Sequence, residues 1–365
     1  MPSIFSVSTV NPQFIIHQED AMQLTKSLFQ SKFSKIERYL KVFENGEIEK
    51  RHLCKPLKWF EEPHSLAERN DAYIEYAVKF GVQAIENCLN NRSTLKSPVL
   101  PGEIDAIFYV SSSGISTPSI EARIMNKLRF RSDTKRIPLF GLGCAGGAIG
   151  LSRAYDYCKA YPEAKVLVLA VEFCSLTFQK DDLSKSNLIG ASLFSDGIAC
   201  ALIGGEKCEI PVHNAIPKII ATKSKWMPKS EDVMGWDIQH NGFHVIFSKS
   251  IPSIIENWLG ETVKDFIETH QLAHENIQHF IAHPGGKKVL TAYEKALNFP
   301  SNRTKNAREI LKQYGNMSSP TILYVLQSFL DEQPTTDEFG LMAALGPGFC
   351  AELLLLQWSV PEYVE

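Results

Sequence analysis

Apolar residues recur at helical spacing along residues 17–43. Met22, Leu24, Leu28, Phe29, Phe33, Ile36, Leu40 and Phe43 predict one long helix there. A second stripe, Tyr73, Ala77, Phe80, Ala84 and Ile85, predicts a helix over 66–90. Unbroken apolar runs predict strands at 105–110, 137–143, 165–171 and 198–203. The run 165–171 is apolar at nearly every position, as a strand covered on both faces should be. Beyond it the pattern predicts helices at 251–270, 287–297, 303–313 and on to 330, with strands at 277–282, 341–345 and 350–358. Each half sets an apolar strand before a glycine-rich turn and a helix. That alternation predicts a layered α/β fold. Residues 206–217 break the pattern and divide the chain into halves at 1–210 and 211–365. No short period repeats, so a solenoid is excluded.

Composition narrows the class. The 365 residues carry 38 basic and 41 acidic side chains, a net charge of −3. A nucleic-acid binder needs a basic excess, so no nucleic-acid partner is expected. With 44% hydrophobic residues the chain can bury a sizeable core. The eight cysteines include no CxxC pair, which fits neither a disulfide scaffold nor a zinc ribbon, and no metal is expected. No apolar run reaches the ~18 residues of a membrane helix. The N-terminus lacks a basic stretch followed by a long apolar one. The expectation is a reduced, cytoplasmic protein with no integral membrane segment, most of its cysteines being small core residues.

Three positions carry candidate chemistry. Cys144 follows a strand in Gly-Leu-Gly-Cys-Ala-Gly-Gly and opens a helix, where unpaired N–H groups favour a thiolate. A buried core cysteine is the ordinary alternative. His283 ends an apolar strand before Pro-Gly-Gly, at the edge where α/β folds bind ligands. It could equally be a hydrogen-bonded loop histidine. Asn316, in Tyr-Gly-Asn-Met-Ser-Ser, could simply cap a helix. Together a Cys, a His and an Asn form a set used for acyl transfer through a thioester. A neutral amide can donate to an oxyanion or enolate, and a histidine can hold a thiolate as an ion pair.

The blocks GLGCAGGAIGLSRA, VLVLAVEFCSLTF, GASLFSDGIACALIGG, FIAHPGGKKVL, YGNMSSP and LGPGF span residues 5 to 358. In their order and spacing the chain resembles the type III polyketide synthases, the chalcone synthase-like family. The resemblance implies a thiolase-like five-layered αβαβα fold built from two similar halves, and a homodimer. It implies that Cys144 takes an acyl group from acyl-CoA, and that His283 and Asn316 assist decarboxylation of malonyl-CoA. No cofactor is implied beyond these substrates.

Other positions follow one at a time. Phe194 matches a gatekeeper phenylalanine between CoA tunnel and cavity. The second gatekeeper falls on Val245, which should widen the passage. Cys174 stands where plant members have a cavity threonine, Trp236 where they have a glycine. Thr117 stands where they have a methionine that reaches across the dimer. Ser318 matches a serine beside the catalytic site. Arg38 and Lys41 match two of three CoA-binding basic positions, and the third is Asn45, which carries no charge. The departures point to a fatty acyl starter and to alkylpyrone or alkylresorcinol products, as in bacterial members. The rival readings are a ketoacyl synthase III-like enzyme making one condensation, a cysteine thioesterase or hydrolase, and a non-catalytic acyl-binding protein.

Overall fold

The computed structural model describes residues 1–30 and 36–361. In chain order the strands are β1 (Ser3–Val10), β2 (Phe14–His17), β3 (Lys50–Leu53), β4 (Ala106–Ser111), β5 (Lys135–Phe140), β6 (Lys165–Phe173), β7 (Asp196–Gly204), β8 (Ile216–Trp226), β9 (Met234–Gln239), β10 (Gly242–Phe247), β11 (Ile277–Ala282), β12 (Phe339–Gly346) and β13 (Cys350–Ser359). The helices are α1 (Gln18–Phe29), α2 (Ile36–Glu44), α3 (Leu66–Leu89), α4 (Ile120–Met125), α5 (Gly146–Ala160), α6 (Lys185–Leu193), α7 (Ile251–Thr269), α8 (Lys287–Ala296), α9 (Lys305–Tyr314) and α10 (Thr321–Glu332).

Nine strands join in the order β11-β12-β13-β8-β1-β7-β6-β4-β5. The joint between β8 and β1 rests on the pair Ser3 and Lys218, so the sheet is two subsheets that meet at an edge. α5 and α10 pack between them, against β4, β6, β1 and β7 on one side and β13 and β11 on the other. α3 covers the outer face of the first subsheet, and α7 with α8 covers the second. That is the five-layered αβαβα stack of the thiolase-like fold. β6 is buried along nearly its whole length, because helices cover both of its faces.

The sequence pattern missed β1 and β8. In β1 the apolar alternation is broken by Ser3, Ser6 and Ser8, all buried. The Ser6 hydroxyl donates to Cys88 O at 2.9 Å and Ser8 to Ala84 O at 2.7 Å, both on α3. Such bonds satisfy the hydroxyls, so polar residues occupy a core strand. The single helix expected over 17–43 is instead α1 and α2. Residues 31–35, with Phe33, lie outside the described residues.

Candidate active site

β5 delivers Cys144 to the middle of the molecule. Its chain leaves through Gly141 and Gly143, both with positive φ, at +82° and +49°. A Cβ on Gly143 would lie 2.7 Å from the Pro347 ring. The short turn Gly143–Ala145 then runs straight into α5. Gly147 lets this helix start against the start of α10, since a Cβ there would lie 2.3 Å from Ser319 O. The Gly143 N–H donates to Ser112 Oγ at 3.0 Å, tying the turn to the end of β4.

His283 follows β11, and its backbone N–H donates to Ala343 O at 2.9 Å, extending the parallel pairing with β12. Asn316 enters from the other side. Its N–H donates to Leu193 O, and its carbonyl accepts from Ser195 N–H, each at 2.9 Å. This bridge sets Asn316 beside Phe194. Ser318, at φ +58°, donates its N–H to Asn316 Oδ1 at 2.8 Å. That bond fixes the amide and leaves its NH2 as a donor. The Cys144 sulfur lies 3.9 Å from the amide. Cys144, His283 and Asn316 line one cavity of about 20 Å³ with Met234, Ile251 and Tyr293.

Burial decides the protonation states. It pushes the Cys144 thiol up to about 11, while hydrogen bonds from Ser318 and Asn316 pull the other way. It pulls the His283 imidazole down to about 3. Neither ring nitrogen has a hydrogen-bond partner among the described residues. Burial thus favours the neutral form of each group taken by itself. The physical reason is that the same walls take both groups out of water.

A larger cavity of about 310 Å³ opens from Cys144, lined by Ser318, Trp236, Phe194, Val245 and Phe140 among others. A third cavity of about 60 Å³ shares Phe194 and Val245 with it; its other walls include Ala21, Leu24, Leu53, Leu57, Phe60 and Cys174 together with the polar Thr25, Arg51, Ser175, Thr177 and Asn187. Trp236 and Val245 are direct cross-strand partners on β9 and β10, and the Trp236 ring lies 5.6 Å from that of Phe194. The passage that Val245 should widen is therefore narrowed again from the opposite strand. Thr117 is exposed in the loop after β4 and lines none of these cavities. Its expected place is across a dimer, which a single chain does not contain. Arg38 and Lys41 are exposed on α2, with Asn45 just past its end, and line none of them either.

Three contributors escaped the sequence reading. Glu172 is the lone acidic residue in β6, a legible signal. It accepts from Ser112 N–H at 3.0 Å and from Ser319 Oγ at 3.0 Å, joining the loop after β4, on which the Cys144 turn is anchored, to the loop of Asn316. Burial pushes its carboxyl up to about 7. The buried Arg51 donates to Ala191 O at 2.6 Å and to Phe194 O at 2.9 Å, holding the end of α6. Tyr293 sits in an ordinary apolar stripe of α8, which gave no signal. Among the described residues no cluster of His, Cys, Asp and Glu could hold a metal, and no helix is long and apolar enough to cross a membrane.

The layered fold, with cysteine, histidine and asparagine around one cavity, defines the class as a thiolase-like condensing enzyme. The sequence profile of the N-terminal domain of chalcone and stilbene synthases matches residues 5–207, and that of their C-terminal domain matches 218–361. A Bacillus subtilis (strain 168) protein named "Putative chalcone synthase" is 49% identical over 362 residues, 98% of this chain and 99% of that one. The 1,3,6,8-tetrahydroxynaphthalene synthase of Streptomyces peucetius subsp. caesius is 32% identical, covering 98% of this chain and 93% of the relative. The crystal structure of 1,3,6,8-tetrahydroxynaphthalene synthase from Streptomyces coelicolor A3(2), a bacterial type III polyketide synthase, superposes with a TM-score of 0.90 at 30% identity, over 98% of this chain and 99% of that one. The chain belongs to the chalcone and stilbene synthase family, the type III polyketide synthases. It is an acyltransferase of the decarboxylating, condensing kind, and the family works on CoA thioesters without a further cofactor.

Proposed function

We propose that Cys144 is the acyl-carrying nucleophile, that His283 and Asn316 bind the thioester oxygen, and that the starter is a fatty acyl-CoA. With both groups neutral at rest, His283 takes the thiol proton as Cys144 Sγ attacks the acyl-CoA carbonyl. The CoA thiolate leaves and recovers that proton. Malonyl-CoA then loses carbon dioxide, the electron pair of the broken C–C bond passing into an enolate. The imidazole N–H and the Asn316 NH2 stabilise its oxygen. The enolate carbon attacks the Cys144 thioester, the C–S bond breaks and the Cys144 thiolate leaves; the extended chain, now on CoA, is transferred back to Cys144, and repeated rounds give a chain that closes to an alkylpyrone or alkylresorcinol. Exposed Arg38 and Lys41 on α2 bind the CoA phosphates by charge.

The observation that carries the starter assignment is the third cavity, bounded by Phe194 and Val245. Beside the larger cavity its leucine and phenylalanine walls offer an aliphatic tail contact away from the reacting thioester. A panel of starters with product mass spectrometry tests this. Chains of about C8 to C18 should be loaded and extended more than once. Efficient use of aromatic starters with none of these chains accepted overturns the assignment, and a single two-carbon extension supports the one-condensation rival. We propose further that two copies form the working unit. The support is β5, an edge strand with Phe140 53% exposed at the rim of the larger cavity.

A further inference from the structure

Tyr293 carries a polar group that the fold itself does not use. It lies on the buried face of α8 with Val289 and Leu290, and its exposure is 0%. Its ring packs edge-on against Phe280 of β11, with centroids 5.6 Å apart. The hydroxyl is fully buried and has no hydrogen-bond partner among the described residues. Leaving a buried O–H unpaired is costly, and a phenylalanine would fill the same space without that cost.

The surroundings say what the hydroxyl is for. Tyr293 lines the same cavity as Cys144, His283 and Asn316. At about 20 Å³ this space admits one oxygen-sized group, since a water needs roughly 10–15 Å³. Both ring nitrogens of His283 are likewise buried and unpaired. Tyr293 and His283 thus both carry unpaired polar groups within the walls of a one-oxygen space beside the thiol, whose inner surface in the free protein is apolar. Burial holds the Tyr293 proton well above its ordinary range, and a thiolate at Cys144, whenever one forms, pushes it further. The group is therefore a hydrogen-bond donor at any working pH, and it lies close enough to the sulfur to sense its charge.

We propose that Tyr293 is a further catalytic residue, whose hydroxyl donates to the thioester oxygen of malonyl-CoA and adds a third donor to those of His283 and Asn316. The inference rests on the roles proposed above for those two residues. As carbon dioxide leaves, the C–C electron pair forms the enolate double bond and the carbonyl π pair moves onto oxygen. Tyr293 keeps its proton throughout. Its hydrogen bond to a neutral carbonyl is weak and strengthens as the oxygen gains charge, so its effect falls on kcat.

The test is carbon dioxide release from malonyl-CoA by the full-length Tyr293→Phe variant. We expect kcat to fall about 10- to 100-fold, KM to stay within about twofold, and the melting temperature to hold or rise. A kcat within about twofold of the parent overturns the inference, and so does a change confined to KM. Should Tyr293→Phe misfold, fluorotyrosines at position 293 decide instead. A more acidic phenol is a stronger donor, so kcat should rise along the series, and a flat or falling series overturns the inference. Asn316→Ala is assayed in parallel. If Asn316→Ala stops carbon dioxide release while Tyr293→Phe is unimpaired, only the Tyr293 assignment fails. If Asn316→Ala releases carbon dioxide normally, the proposed role of Asn316 fails first.

Discussion

At Cys144 and His283 the decisive quantity is solvation. The thiol stands at about 11 and the imidazole at about 3 because apolar walls disfavour both charges. A thiol that titrates at about 11 is roughly one-thousandth thiolate at pH 8, three units below. Burial likewise disfavours an imidazolium at His283 in the free enzyme. Alkylation of Cys144 by iodoacetamide in the free enzyme should therefore be slow near neutrality and climb about tenfold per pH unit towards 11. Peptide mass spectrometry of the modified cysteine reads this. A plateau reached near pH 7 would mean that the ion pair exists after all. The companion variant Cys144→Ala should carry no covalent acyl group, and an acyl adduct on another cysteine would move the nucleophile elsewhere.

Among elements, the start of α5 matters most. It must approach the start of α10 so closely that Gly147 has no room for a methyl group. Gly147→Ala puts a carbon 2.3 Å from Ser319 O, and one of the two helices must shift. Overpacking of this kind costs about 1–3 kcal/mol, which chemical denaturation would read. Because α5 follows Cys144 and α10 follows Asn316, the same shift separates their side chains, and acyl loading should slow in step. Unchanged stability with normal loading would show that the contact relaxes freely. The β9–β10 hairpin makes a different point. Val245 and Trp236 depart from the plant pattern in opposite directions of size, yet they face each other across one strand pair. Each looks like an isolated change in the sequence, and only the register shows that the second refills space left by the first.

For the whole molecule, the open edge is β5. Its side chains are exposed at alternate positions, and an unpaired edge of this kind is a pairing surface for another copy. Light scattering should give twice the 40.9 kDa chain mass, and Phe140→Arg should shift it towards a single chain. A wild-type mass of one chain would remove the homodimer and, with it, the reason for placing Thr117 near a cavity.

The hydrophobic pattern alone determined most elements and the ends on which the candidate residues stand. Apolar runs such as Ile277–Ala282 stop where the chain leaves the sheet, and glycines mark the sharp turns that follow. The motif blocks then supplied Cys144, His283 and Asn316 as a set. β1 stayed hidden because hydroxyls satisfied by α3 backbone oxygens look polar in sequence and behave as core. The protonation states, the Trp236–Val245 exchange of volume and the unpaired hydroxyl of Tyr293 were decided by tertiary structure alone. Each depends on which distant residues exclude water or share a wall, as Met234, Ile251 and Tyr293 do around Cys144. Local pattern fixes what a side chain can do, and the low-polarity space assembled from several elements decides its charge and its partners.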